Sequence, residues 1–296
     1  MKIDAVFSGG GVKAFAFIGA LQSIKDKKLQ IERVAGTSAG AMLAGFLAAG
    51  YSLSEIEKVM GEIQLQKLLD PPKITTFIPL SRWFFLYFQM GLNRGNLLEN
   101  WIHEKLAAKG VYAFSDLPHQ KLKVVVSDLT LGKLIVLPDD LQRVYGIDPK
   151  YFSVAKAIRM SAGFPYFFMP KKLPGKTKEK SLIVDGGLLS NFPLWIFDRD
   201  QSAQTRPVLG IKLSESLENI QPRKIKNAID MFLALFSTMK QAHDARFISK
   251  SEEKNIIFIP VNNILATDFQ IQPEIISELV EAGRTRADQF LKKWPR

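Results

Sequence analysis

The chain has 296 residues, 47% hydrophobic and 23% charged, an ordinary balance for a globular protein with room for a substantial core. It contains no Cys, which excludes a disulfide framework, a thiolate metal site and a Cys nucleophile. Its 40 Lys and Arg against 29 Asp and Glu leave a formal net charge of +11, which favours anionic partners. Of these, nucleic acid is not expected, because nothing reads as a recognition helix or an aromatic RNA-binding strand.

Taken in chain order, the pattern alternates apolar strands with longer helical stretches. It predicts an α/β fold of three layers, α/β/α, around a mostly parallel sheet. The opening residues lack the charged-then-apolar order of an export leader. The expected location is therefore the cytoplasm, with peripheral contact to the inner face of the membrane. A first strand near 2–7 precedes a helix from about Lys13 to Lys27. A second strand, Ile31 to Ala35, runs into Gly36–Gly40 and an apolar helix ending near Gly50. Ser52 with Glu55 three residues on reads as a capping box.

The aromatic stretch 74–92 is interrupted by Pro79, Ser81, Arg82 and Gln89, so it is a poor membrane span. A helix from Asn96 to Lys109 follows, then strands near 122–127 and 133–137, a helix at 153–161 and a strand at 182–184. Lys171–Lys180 reads as a charged loop, and 208–213 and 256–261 as strands. Ile225, Ile229, Phe232, Leu235, Phe236 and Met239 recur at helical spacing, which predicts a core-facing stripe. No composition break marks a boundary, so one domain over 1–296 is expected, with the motif-bearing core at about 3–200.

Three segments carry chemistry. Gly36-Thr37-Ser38-Ala39-Gly40 is a G-x-S-x-G sequence between a strand and a helix. The sharp turn such a context demands needs small flanking residues and lifts the Ser hydroxyl over a helix N-terminus. Gly9-Gly10-Gly11-Val12 lies between the first strand and the first helix, where consecutive glycines let backbone N–H groups face one concavity. Such a cradle suits an oxyanion. Asp185-Gly186-Gly187 closes the apolar strand Leu182-Ile183-Val184, so the carboxylate can face a crevice at a strand exit.

In this order the three segments resemble the patatin-like phospholipase family, as do Ala157–Pro165 with Phe168 and Pro170, and Asn191 with Pro193. The resemblance covers about the first two hundred residues. It implies a lipid acyl hydrolase of the phospholipase A or lysophospholipase type, with phospholipid or another acyl lipid as substrate. In that reading Ser38 is the nucleophile, Asp185 the base, and Gly9, Gly10, Gly11 and Val12 the oxyanion hole, with no cofactor and no metal. The chain departs from the family at Ala14, where Gly is usual, and at Phe17, where His is frequent.

A base of ordinary carboxylate pKa is weak, so an apolar site that raises the pKa of Asp185 is expected. Only His103, His119 and His243 exist, and a Ser-Asp-His order would need His243, which sits in the polar end of a predicted helix. Trp83, Phe84, Phe85 and Phe88, beside Lys73, Arg82 and Arg94, read either as a lid that contacts an anionic bilayer or as a packed cap.

Two rivals use part of the same sequence. Gly9-x-Gly11-x-x-Ala14 with Glu32 fits a dinucleotide-binding fingerprint and would make the chain an oxidoreductase. A catalytically degenerate lipid-binding module would explain Ala14.

Overall fold

The strands that meet the glycine-rich turns become buried and mainly apolar toward those turns, as Ala5-Val6-Phe7 does before Gly9 and Val34-Ala35 before Gly36. The computed structural model describes residues 1–73, 81–175, 179–197, 206–214, 225–247, 253–261 and 272–295. Strand β1 (Lys2–Phe7) leads through a 3-10 turn at Gly11–Phe15 into α1 (Ala16–Asp26). Next come β2 (Gln30–Thr37), α2 (Ala39–Ala48), α3 (Leu53–Gly61), α4 (Leu65–Leu68) and α5 (Ser81–Phe88). Then follow β3 (Gly91–Asn93), α6 (Asn96–Ala107), β4 (Leu122–Asp128), β5 (Lys133–Leu137) and α7 (Val154–Ser161). The chain continues through β6 (Tyr166–Phe168), β7 (Lys171–Pro174), β8 (Lys180–Asp185), β9 (Val208–Ser214), α8 (Ala228–Phe247), β10 (Ile256–Pro260) and α9 (Pro273–Leu291).

The main sheet runs β10-β9-β1-β2-β4-β8-β7, with β5 also on β4. It is parallel from β10 to β4 and antiparallel where β8, β7 and β5 join. The central strands are buried on both faces, and their two-residue period divides the core. Ala5, Phe7, Val34, Val124 and Val126 face one apolar cluster with α1, α2 and α3, while Val6, Ala35 and Val125 face another with Phe192, Leu194 and Phe197. The capping box forms at α3: the Ser52 N–H donates to Glu55 Oε2 at 2.8 Å, and the Glu55 N–H donates to Ser52 Oγ at 3.3 Å.

Two sequence expectations are corrected. Lys171–Lys180 is not wholly a loop: Lys171–Pro174 forms β7, an edge strand antiparallel to β8 with Leu173 buried. Only one strand covers β7, so Pro174 and exposed Lys172 are tolerated there. The stripe on α8 is not simply core. Phe236 is buried and Phe232 half-buried, but Leu235 and Met239, and Ile225 ahead of the helix, are each more than half exposed, as is Met231; the side chain of Ile229 lies outside the described residues.

A buried guanidinium fixes the chain between the aromatic helix α5 and α6. From α7, Arg159 Nε donates to Gly95 O at 2.9 Å, and Nη2 donates to Arg94 O at 2.9 Å and Met169 O at 3.2 Å. Asp70 meets the same turn, accepting from the N–H groups of Gly95 and, at 2.9 Å, of Asn96. Burial draws the Arg159 pKa down to about 10, against the attraction of Glu99, Asp70 and Asp185. Replacing Arg159 by Met removes the donors of three carbonyls, which is expected to lower the unfolding free energy by about 3–5 kcal/mol in urea titration. A loss below about 1 kcal/mol would mean that the turn is held by other contacts.

Candidate functional site

The strand register brings the two chemistry-bearing residues together. Thr37 at the end of β2 pairs with Val125 of β4, and the next residue of β4, Val126, pairs with Asp185 of β8. Ser38, one step beyond Thr37, therefore lies level with Asp185 across β4. The sequence reading places Asp185 at the exit of a strand in a parallel sheet. In fact β8 runs antiparallel to β4 and reaches the site from the opposite direction. The Ser38 hydroxyl donates to Asp185 Oδ2 at 2.8 Å, joining residues 147 apart.

Ser38 sits at φ 57°, ψ −125°, a conformation that L-residues rarely adopt and that costs about 1–3 kcal/mol. Its N–H donates to Ser161 Oγ at 2.8 Å, whose own hydroxyl donates to Val125 O at 2.6 Å. Its carbonyl accepts from the N–H groups of Ala41 at 2.9 Å and Met42 at 3.2 Å in the first turn of α2. The Thr37 hydroxyl donates to Ser190 O at 3.0 Å. The elbow closes so tightly that a Cβ on Gly36 would stand 2.4 Å from the Gly40 backbone, and one on Gly40 2.4 Å from Ser8 O. Ala39, between them, lines the cavity above.

Asp185 is 3% exposed. Burial raises its pKa from 3.8 to about 6, against the Gly187 N–H that donates to Oδ1 at 2.7 Å, the Ser38 hydroxyl, and the charges of Lys240 and Arg159. Gly186 is packed against Val125 O, where a side chain would not fit.

The glycine loop faces the same cavity, with one division of labour that the sequence does not reveal. The Gly9 N–H already donates to Asn191 O at 2.9 Å. The N–H groups of Gly10, Gly11 and Val12 take no acceptor among the described residues, and these three residues line the cavity. Asn191 Nδ2 donates to Asp244 Oδ2 at 3.4 Å, and Asp244 also pairs with Lys212. Ala14 is buried within the 3-10 turn at negative φ, so the departure from Gly introduces no strain. Phe17 is buried edge-on against Phe7, with ring centroids 5.5 Å apart.

The cavity of about 120 Å³ is lined by Ser38, Asp185 and Gly187. Its remaining walls are mainly apolar: Met42, Met60, Leu68, Leu98, Phe164 and Phe236 are representative. Helix α2 thus serves both the core and the cavity. Among the described residues α5 does not line it. Phe84, Tyr87 and Phe88 expose 56%, 80% and 59% of their surface, and their rings pack on one another at 4.6 and 4.9 Å. Phe85 is half-buried, and the side chain of Trp83 lies outside the described residues, as does that of His243. The part of the proposed lid at 74–80 also lies outside them.

Sequence reading missed Ser161, Asp244 and Lys240 as parts of the site. Lys240 and Asp244 share a four-residue spacing on a predicted helix, a signal equally typical of a solvated face. Among the described residues no group of three His, Asp or Glu side chains could hold a metal ion, and no helix is long and apolar enough to cross a membrane. Glu32, the acid of the dinucleotide reading, stands near the start of β2 and pairs with Lys2 at 3.1 Å. At roughly 3.3 Å per residue it is about 16 Å from Thr37, at the wrong end of the sheet to meet a ribose beside Gly9.

Comparison with known proteins gives concordant matches. The profile described as Patatin-like phospholipase matches residues 5–198. The uncharacterized protein YqhO of Bacillus subtilis is 46% identical over 296 residues, covering 99% of each chain. Among solved structures, VipD from Legionella pneumophila superposes with a TM-score of 0.58 at 19% identity, over 98% of this chain and 67% of its own. The type III effector ExoU of Pseudomonas aeruginosa gives 0.50 at 16% identity, over 99% of this chain and 53% of its own. At these identities the two structures speak to the fold alone.

The raised pKa of Asp185 has a consequence for stability. Between about pH 4 and 6 the folded chain keeps a proton that the unfolded chain has released, so this group's contribution is present below pH 4 and lost as the pH rises through 6. Asp185→Asn, which cannot ionise, should gain stability relative to the wild type across that window by about 1–3 kcal/mol, read from urea titrations at pH 4 and 7.5. A difference that stays constant with pH would show an ordinary carboxyl group.

Proposed function

The chain belongs to the patatin-like phospholipase family, and we propose that it hydrolyses acyl esters of lipids by a Ser38–Asp185 dyad. The observation that carries this reading is the 2.8 Å hydrogen bond from Ser38 Oγ to a buried carboxylate, both residues lining one mainly apolar cavity. Oγ attacks the ester carbonyl carbon while its proton passes to Asp185 Oδ2. The carbonyl oxygen becomes an oxyanion, and the N–H groups of Gly10, Gly11 and Val12, which take no acceptor among the described residues, are the donors for it. Collapse breaks the bond to the alcohol, which leaves with the proton from Asp185. A water then gives its proton to Asp185 and attacks the acyl-enzyme, and release of the fatty acid returns the proton to Ser38. Phe164, Phe236, Met42 and Leu98 supply the apolar wall on which an acyl chain lies.

A pKa of about 6 suits both halves of this cycle: the carboxylate is ionised at neutral pH yet basic enough to accept a hydroxyl proton. The substrate reaches the site from a lipid surface. The exposed rings of Phe84, Tyr87 and Phe88 and the net charge of +11 favour peripheral contact with an anionic bilayer.

Incubation with mixed phospholipids, with released fatty acids read by mass spectrometry, tests the chemistry. Ser38→Ala and Asp185→Asn should each lower release by roughly a thousandfold or more, and the wild-type rate should rise through about pH 6 and level off above it. Activity that survives in Asp185→Asn and disappears in His243→Ala would replace the dyad by a triad. For the surface, Phe84→Ala with Phe88→Ala should weaken flotation with anionic vesicles by several-fold. Unchanged flotation would assign the aromatic helix to packing alone.

A further inference from the structure

Along α8, residues 232, 236, 240 and 244 recur every four positions and so share one face. Its first half is seated on the cavity wall, with Phe236 4.7 Å from Phe164 and Phe232 4.7 Å from Tyr166 between ring centroids. The next residue on this face is Lys240, which lines the cavity together with Ser38, Asp185 and Gly10. It is the sole ammonium among the described lining residues, in a cavity whose other walls are mainly apolar.

The carboxylates around Lys240 are largely engaged elsewhere. Asp185 accepts from Ser38 and Gly187. Asp244 holds Lys212 and Asn191 through Oδ2 and keeps Oδ1 without a hydrogen-bond partner. Lys240 itself makes no hydrogen bond or ion pair among the described residues. Burial pulls its pKa below the usual lysine range; Asp185 and Asp244 oppose that pull, while Lys212 and Lys13 add to it. Ammonium donors with no acceptor among the described residues, half-buried in a cavity shared with Ser38 and Asp185, are suited to a negatively charged oxygen on the ligand.

We propose that Lys240 is the residue that selects the substrate, favouring acyl lipids with a phosphate one glycerol unit from the scissile ester over neutral glycerides. The proposal rests on the lipid-hydrolase reading and names its substrate class. The apolar wall takes the acyl chain, Ser38 meets the carbonyl, and the phosphate oxygens accept from the ammonium of Lys240. The competing role, a cation that merely holds down the pKa of Asp185, would act on every ester alike.

The test compares wild type, Lys240→Met and Lys240→Arg on 1-acylglycerol 3-phosphate and on 1-acylglycerol with the same acyl chain. In Lys240→Met the ratio of kcat/KM for the phosphate ester to that for the neutral ester should fall by roughly tenfold or more, and Lys240→Arg should keep most of it. An unchanged ratio, with both rates moving together and a common shift in the pH–rate midpoint, would overturn the proposal in favour of the competing role. Binding is read separately by calorimetry in Ser38→Ala, which requires no turnover. Adding Lys240→Met to that background should weaken binding of 1-acylglycerol 3-phosphate by a similar factor and that of 1-acylglycerol by much less. If the wild type cleaves neither ester but this binding difference persists, the hydrolase reading fails while the phosphate-selective site stands. If the difference is absent, the site itself is refuted. Inorganic phosphate as competitor separates the sources: displacement of the lipid at equal concentration would mark a free-anion site and overturn the lipid assignment.

Discussion

The hydrogen bond from Ser38 Oγ to Asp185 Oδ2 depends on nearly every other feature of the site. It joins groups 147 residues apart, and neither side chain is long enough to reach far. Its length is set by two backbone constraints. The register of β2, β4 and β8 puts Ser38 and Asp185 at one level, and the elbow at Gly36–Gly40 lifts Ser38 out of the sheet at a positive φ. The strain at Ser38 persists because Ser161, Ser190 and the first turn of α2 bond the surrounding backbone. These partners come from separate segments of the chain, so the conformation is fixed by the assembled fold rather than by the local sequence.

The electrostatics of the site are a contest that burial wins. Arg159 and Lys240 both favour the ionised form of Asp185, and so do the Gly187 N–H and the Ser38 hydroxyl, yet its pKa lies well above the ordinary carboxylate range. Desolvation is the larger effect because the same walls that would receive an acyl chain also exclude water from the carboxyl group. Apolar lining and a tuned base are thus one property of the cavity. Arg159 has a second role at a distance, since the carbonyls it binds set the turn between α5 and α6.

The sequence made the element order largely legible, because buried parallel strands read as apolar runs and the helices between them carry clear starts, as at Ser52 and Glu55. The glycine turns were legible for a different reason: small residues crowd where backbone meets backbone, as at Gly36 and Gly40. What remained hidden depends on pairing between distant segments. β7 is a short edge strand of Lys, Leu and Pro, and only its partner β8 makes it a strand. The direction of β8 relative to β4 has no local signature. Helical spacing on α8 showed that a face exists but not what it faces, so exposed Leu235 and Met239 looked the same as buried Phe236. Likewise Gly9 resembled its neighbours in the loop until Asn191 took its N–H.

The central claim is that the carboxyl group of Asp185 activates the hydroxyl of Ser38, and reaction with a fluorophosphonate addresses it without reference to any natural lipid. Peptide mapping of labelled wild type should find one modified residue, Ser38, with a labelling rate that falls sharply in Asp185→Asn. Modification of a different serine, or an equal rate in the two proteins, would contradict it.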